Sequence, residues 1–87
     1  MPDIGHHQAV CAEVIRQLRE ERRRRGLSNY AVAKRCGVSQ SMLSLVERGL
    51  RNPTLETVLK ISDALEADLS DILKRATERL KAQPKAK

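Results

Sequence analysis

The stretch "SNYAVAKRCGVSQSMLSLVERG", residues 28–49, decides the fold. It contains two short runs, one opened by Ser28 and closed by Gly37, the other opened by Ser39 and closed by Gly49. A serine hydroxyl can accept a hydrogen bond from a free N–H of a helix's first turn, and glycine can take the left-handed conformation that ends one. In the first run Val32, Ala33 and Cys36 share one helical face. Only Gly37-Val38-Ser39 separates it from the second. Two short helices joined by so short a glycine-containing connection make a helix-turn-helix, placed at about residues 29–48.

The second run is crowded, with Met42, Leu43, Leu45 and Val46 set among Gln40, Ser41 and Ser44. A helical wheel at about 100° per residue separates them. Leu43 and Val46 fall on one side with Ser39, flanked by Met42 and Glu47; with Val38 they are expected to hold the helix to the domain. Ser41, Ser44, Leu45 and Arg48 fall on the other side, with Gln40 at its edge. That outward face is uncharged at its start and cationic at its end. It suits a DNA major groove: Gln can pair with adenine, Ser can donate or accept, an aliphatic group can meet a thymine methyl, and Arg can reach phosphate. A face turned to solvent or to a protein partner is the competing reading of the same residues.

Working outward, Cys11, Val14, Ile15, Leu18 and Arg22 recur at helical spacing, predicting a first helix over about residues 7–25 that Gly26 can cap. Residues 1–6 are read as a leading segment. Downstream, Pro53 and Thr54 introduce a fourth helix whose buried stripe is expected to be Leu55, Val58, Leu59, Ile61, Ser62 and Leu65. Asp68 and Asp71 open a last helix. Its Leu69, Ile72 and Leu73 can reach the core, while Ala76 and Leu80 continue the stripe past the domain's expected end at residue 73. Residues 74–83 are therefore read as an extension, with Ile72, Ala76 and Leu80 as the expected dimer interface, and the basic residues 84–87 as a disordered tail. No alternating strand pattern and no hairpin turn occur, so the fold class is all-α with five helices.

Composition bounds the function. The chain has 87 residues, enough for one small domain, with no Trp, no Phe and one Tyr, so its core is aliphatic. Lys and Arg outnumber Asp and Glu 17 to 11, a net charge of +6 that favours polyanionic partners. No apolar run approaches the roughly 20 residues of a membrane span, and no signal peptide is recognisable, so a cytoplasmic protein is expected. Cys11 and Cys36, each at an apolar helical position, read as reduced buried thiols. His6, His7 and Cys11 lack the fourth ligand and second cluster of a closed zinc site, so no metal is expected. Without a phosphate loop, a nucleophile elbow or an HExxH motif, neither an enzyme nor a cofactor is expected.

The segment "GLSNYAVAKRCGVSQSMLSLVERGLRNPTLETVLKISDAL" resembles the lambda-repressor-like, Cro/cI (XRE-type) helix-turn-helix domain. The resemblance rests on the joint spacing of Gly-Leu-Ser, Gly-Val-Ser, Glu-x-Gly and a proline before an apolar helix, and covers roughly residues 10–73 of a domain placed at 7–73. It implies that Gln40, Ser41, Ser44 and Leu45 face base edges, with Met42 at the boundary. Asn29, Tyr30, Arg48, Arg51 and Asn52 match phosphate-contacting positions. Arg22 and Glu47 match an interior ion pair. Two features depart from the pattern: Arg23, Arg24 and Arg25 make the end of the first helix unusually basic, and Ser62 and Glu66 replace the usual Ala and the Gly that commonly ends the fourth helix.

The resemblance implies a prokaryotic or phage transcription regulator, a repressor or autoregulator, binding double-stranded DNA as a homodimer on a palindromic operator, with no small-molecule ligand. The alternative is an antitoxin-like module that neutralises a protein partner. The short stretch after residue 73 favours the regulator, because a toxin-binding extension is usually additional to the domain.

Overall fold

The computed structural model describes residues 4–82. They form five helices and, among the described residues, no strand: α1 (Ile4–Arg24), α2 (Asn29–Cys36), α3 (Gln40–Glu47), α4 (Leu55–Ala64) and α5 (Leu69–Ala82). Three starts carry the side-chain caps that their sequences offer. Ser28, Ser39 and Thr54 each accept from the backbone N–H three residues on, at 3.0, 3.0 and 3.1 Å. Each satisfies one of the donors that a helix leaves free at its start. Asp68 Oδ1 accepts from the Ser70 N–H at 2.9 Å and opens α5 in the same way.

The turn between α2 and α3 depends on Gly37, whose φ of 75° is left-handed and whose N–H returns to the Ala33 carbonyl. A Cβ there would meet no atom within 4 Å. Glycine is favoured at this position by backbone conformation, not by crowding.

One aliphatic cluster holds the helices together: Val14 and Leu18 of α1, Val32 and Ala33 of α2, Leu43 of α3, Val58 and Ile61 of α4 with Leu65 at its end, and Ile72 and Ala76 of α5. Val46 of α3 is also buried. Each fully buried aliphatic side chain contributes about 1.5–3 kcal/mol, so a core without large aromatics is still sufficient. Ser62 is buried among them, its hydroxyl donating to the Leu59 carbonyl at 3.0 Å. Serine in place of alanine thus leaves no unsatisfied group.

Several sequence expectations are corrected. Helix α1 begins at Ile4, not at about residue 7, so residues 4–6 are helical. Extending an existing helix by a turn costs little even without a cap. The remainder of the leading segment, residues 1–3, and residues 83–87 with the basic tail lie outside the described residues.

Ile72 and Ala76, expected at a dimer interface, are only 1% and 0% exposed. They belong to the chain's own core, because the 21-residue α1 provides a surface along which α5 lies. Leu80 is half-buried. Conversely, Leu55, Leu59 and Leu73 are exposed, and so is Cys11. Leu55 and Leu59 lie beside the buried stripe of α4, and Cys11 lies on α1 away from the cluster that buries Val14 and Leu18.

The substitution of Glu66 for the expected glycine does not change the turn. Glu66 adopts φ 54°, and the N–H of Ala67 returns to the Ser62 carbonyl at 2.9 Å. Arg35 of α2 donates to the Ala64 carbonyl at 3.3 Å, satisfying an acceptor at the end of α4. Packing between α2 and α4 therefore helps to close a helix end whose own sequence lacks the usual cap.

Candidate nucleic-acid interface

Helix α3 is fixed from behind and open in front. Leu43 and Val46 are buried, Met42 is half-buried at the boundary, and Val38 is half-buried in the preceding turn. On the opposite side, Gln40, Ser41, Ser44, Leu45 and Arg48 line one shallow, open depression. Gln40, Ser41 and Arg48 are exposed, whereas Ser44 and Leu45 are half-buried. The five residues that the wheel turned outward are brought together. Leu45 lies between core and surface, an aliphatic group on a face that otherwise offers hydrogen bonds and one cation.

The far end of α3 is anchored to α1. Arg22 Nε donates to Glu47 Oε2 at 2.7 Å and Nη2 to Oε1 at 3.0 Å, while Nη1 donates to the Leu27 carbonyl at 2.8 Å. The two side chains are 14% and 11% exposed. A paired, two-pronged guanidinium contact fixes orientation as well as distance. Arg22 thus ties together the end of α1, the loop into α2 and the last turn of α3.

The other expected contact residues lie outside the lining of the depression. Tyr30 is exposed on α2, with Lys34 Nζ 5.3 Å from its ring centroid. Asn29, in the first turn of α2, is half-buried, and its Oδ1 is buried and, among the described residues, without a hydrogen-bond partner. Arg51 and Asn52 are exposed, and among the described residues neither Arg51 nor Arg48 of the depression forms an ion pair.

The arginine run divides by function. Arg22 makes the interior pair; Arg24 and Arg25 bind Glu21 at 2.6 and 3.0 Å, and Arg25 also approaches Glu66 at 3.9 Å. Arg23 is exposed and, among the described residues, forms no ion pair. One cation of the four is left available, a partition that the sequence pattern did not reveal because it depends on where Glu21 and Glu66 stand in space.

A second charged node lies at the junction of α1 and α5. The Glu13 carboxylate accepts from Arg16 at 2.7 Å and from Gln17 at 3.1 Å, and Arg79 of α5 stands 3.4 Å away. The hydrogen bond from Arg16 is the main force holding the Glu13 carboxyl below its ordinary range; Gln17 and the nearby Arg16 and Arg79 charges add to it, against the opposing effect of burial. Glu13 in turn raises the Arg16 guanidinium above its usual value. The spacing of Glu13, Arg16 and Gln17 is visible in the sequence, but the arrival of Arg79 is not. Among the described residues, no cluster of His, Cys, Asp or Glu could hold a metal ion, and no helix is long and apolar enough to cross a membrane.

Comparison with known proteins places this arrangement. Residues 15–72 match a protein-family profile described as helix-turn-helix. The chain belongs to the XRE-type helix-turn-helix family.

Among curated relatives, the helix-turn-helix-type transcriptional regulator y4dJ of Sinorhizobium fredii is 48% identical over 44 residues, covering 51% of this chain and 57% of that protein. The regulator SlrR of Bacillus subtilis is 38% identical over 63 residues, 71% of this chain and 41% of its own length. This helix-turn-helix chain spans about half the length of the curated relatives it matches. A crystal structure of a variant of the restriction-modification controller protein C.Esp1396I has a similar fold. Its TM-score is 0.75 at 21% identity, over 85% of this chain and 97% of that one.

Proposed function

We infer that the chain binds duplex DNA sequence-specifically and regulates transcription, as a repressor or autoregulator. Two copies place their α3 helices in successive major grooves of a palindromic operator, about 34 Å apart. The observation that carries this reading is the outward face of α3, where Gln40, Ser41, Ser44 and Leu45 share one open depression with Arg48 at its cationic end.

In this reading Gln40 and Ser41, at the start of α3, take the hydrogen bonds to base edges. Ser44 and Leu45 follow one turn on, Leu45 against a thymine methyl or a neighbouring sugar. Arg48, Arg51, Asn52, Asn29 and Tyr30 hold the phosphates on either side, supplying affinity and register rather than sequence information. The Arg22–Glu47 pair keeps α3 at a set attitude to the rest of the domain.

Selection of bound sites from random duplex DNA tests the reading directly and is expected to return a two-fold symmetric sequence. On that site, Gln40→Ala is expected to cost about 1–3 kcal/mol and to relax preference at one position, while Arg48→Ala weakens binding to all sequences and reduces the salt slope by about one. Equal, sequence-independent losses from both would remove Gln40 from base readout. Absence of binding at low salt would overturn the DNA reading as a whole.

A further inference from the structure

The outward face of α3 has a composition that narrows which base pairs it can read. Gln40, Ser41, Ser44 and Leu45 share their depression with Arg48, the one charged residue of the five. Among the described residues, the side chains of Gln40, Ser41 and Ser44 make no hydrogen bond within the chain. Ser62 and Thr77 differ in this, because their hydroxyls donate to carbonyls three or four residues back. Ser39 is likewise committed, accepting from the Met42 N–H. One amide and two hydroxyls are thus free for an outside partner.

The groups that mark a G·C pair are missing from these positions. Guanine is most often read by a two-pronged Arg or Lys, and cytosine by an Asp or Glu that accepts from its N4 amine. Arg48 stands at the far end of α3, about 12 Å along the axis from Gln40. A recognition helix reads bases with its N-terminal residues. Glu47 is held by Arg22 and its side chain is only 11% exposed, so its carboxylate is not offered to a cytosine. What remains fits adenine and thymine. An amide that donates and accepts at once matches adenine N7 and N6, and the apolar group that an unmodified base shows in the major groove is the thymine C5 methyl. Leu45, half-buried in the depression, is the aliphatic side chain placed to meet it.

We propose that α3 reads a half-site core of A·T pairs, with Gln40 on an adenine and Leu45 seated against a pyrimidine 5-methyl, so that the methyl group itself is part of the recognised sequence. This rests on the DNA-binding reading above and gives it a sequence class. Thymine and 5-methylcytosine both carry the methyl, and the A·T assignment makes thymine the preferred source. Burying one such group is worth about fourfold in affinity per half-site, and so about fifteenfold on a two-fold symmetric site.

The test titrates the full chain, by fluorescence anisotropy, onto its selected duplex and onto duplexes in which each thymine of the half-site core is replaced in turn by deoxyuridine, in both halves at once. Base pairing is kept and only the methyl is lost, so this series on the unmodified chain needs no protein variant. At one position a loss of about fifteenfold is expected. Leu45→Ala, with its fold checked by circular dichroism, is expected to bind the thymine and uracil duplexes alike at that position, which couples the side chain to the methyl. There, cytosine is expected to bind less well than thymine, and 5-methylcytosine to recover part of the difference without reaching thymine. A selected core of G·C pairs, or 5-methylcytosine bound as well as thymine, would overturn the A·T assignment. Uracil tolerated at every position, no gain from 5-methylcytosine over cytosine, or a uracil loss undiminished in folded Leu45→Ala would overturn the methyl contact. Each of these results leaves duplex binding itself standing, whereas a chain that binds no duplex at low salt would overturn both readings.

Discussion

Helices α3 and α5 pose the same problem in sequence and solve it in opposite directions. Each carries more apolar residues than the expected domain could bury, Leu45 in α3 and Ala76 with Leu80 in α5. In α3 the surplus residue turns outward into the open depression with Gln40, Ser41 and Ser44. In α5 it turns inward, Ala76 becoming as enclosed as any residue of the core. The difference lies in the neighbour. Helix α3 has eight residues and is buried through Leu43 and Val46, whereas α5 has fourteen and lies along a 21-residue α1. An apolar residue is surplus only relative to the surface available to cover it.

The sharpest way to break the comparison is to place the same charge in both helices. Ala76→Asp buries an unpaired carboxylate and is expected to cost about 4 kcal/mol or more, seen as loss of the folded baseline in denaturant titration. Leu45→Asp is expected to change stability by less than about 1 kcal/mol, because the side chain reaches the surface, while abolishing operator binding through repulsion from the phosphates. Comparable stability losses in the two variants would show that α3 is no more open than α5.

Next in size is the anchor of α3. Glu47→Gln leaves the enclosed Arg22 guanidinium without its counter-charge and is expected to cost about 3 kcal/mol in chemical denaturation. Since Arg22 also bonds the Leu27 carbonyl, the loop into α2 is expected to lose hydrogen-exchange protection together with α3.

The attachment of α5 to α1 can be probed by acid. Glu13 has its pKa lowered in the fold, chiefly by Arg16, so its contribution is present above the ordinary carboxylate range and is lost as pH falls through the lowered value. Stability is therefore expected to decline below about pH 4, and Glu13→Gln is expected to flatten that part of the profile while lowering stability at pH 7. An unchanged acid limb would remove Glu13 from the α1–α5 junction's energetics.

The smallest effect concerns the turn that directs the chain from α4 into α5. Glu66→Gly relieves a left-handed non-glycine residue worth about 1–2 kcal/mol but adds about 0.5–1 kcal/mol of unfolded-state freedom. A net gain of about 0.5 kcal/mol is expected in thermal unfolding.

Local patterns made much of this molecule legible. The caps at Ser28, Ser39 and Thr54 act within three residues, so the sequence displays both partners of each bond. The outward face of α3 followed from periodicity because a buried stripe leaves its complement exposed. On α4 the same periodicity admitted Leu55 and Leu59 to the core, since residues at the edge of a stripe are sorted by the exact position of a neighbouring helix. Ala76 was misplaced because the domain was measured without the reach of α1. The Arg22–Glu47 pair, 25 residues apart, was indicated by the family resemblance and not by local spacing. The loop residues Arg51 and Asn52 have no periodicity from which a direction could be read.

The absence of formal charge along Gln40, Ser41, Ser44 and Leu45 separates two properties of a regulator that are often discussed together. Dissolved ions compete with cationic side chains for phosphates and hardly at all with a neutral amide, a hydroxyl or a methyl group. On the proposed operator, a rise in ionic strength would thin the occupancy of every site alike while leaving the ranking of those sites nearly unchanged. Such a protein would keep its discrimination when conditions change, and vary only in how often it is bound.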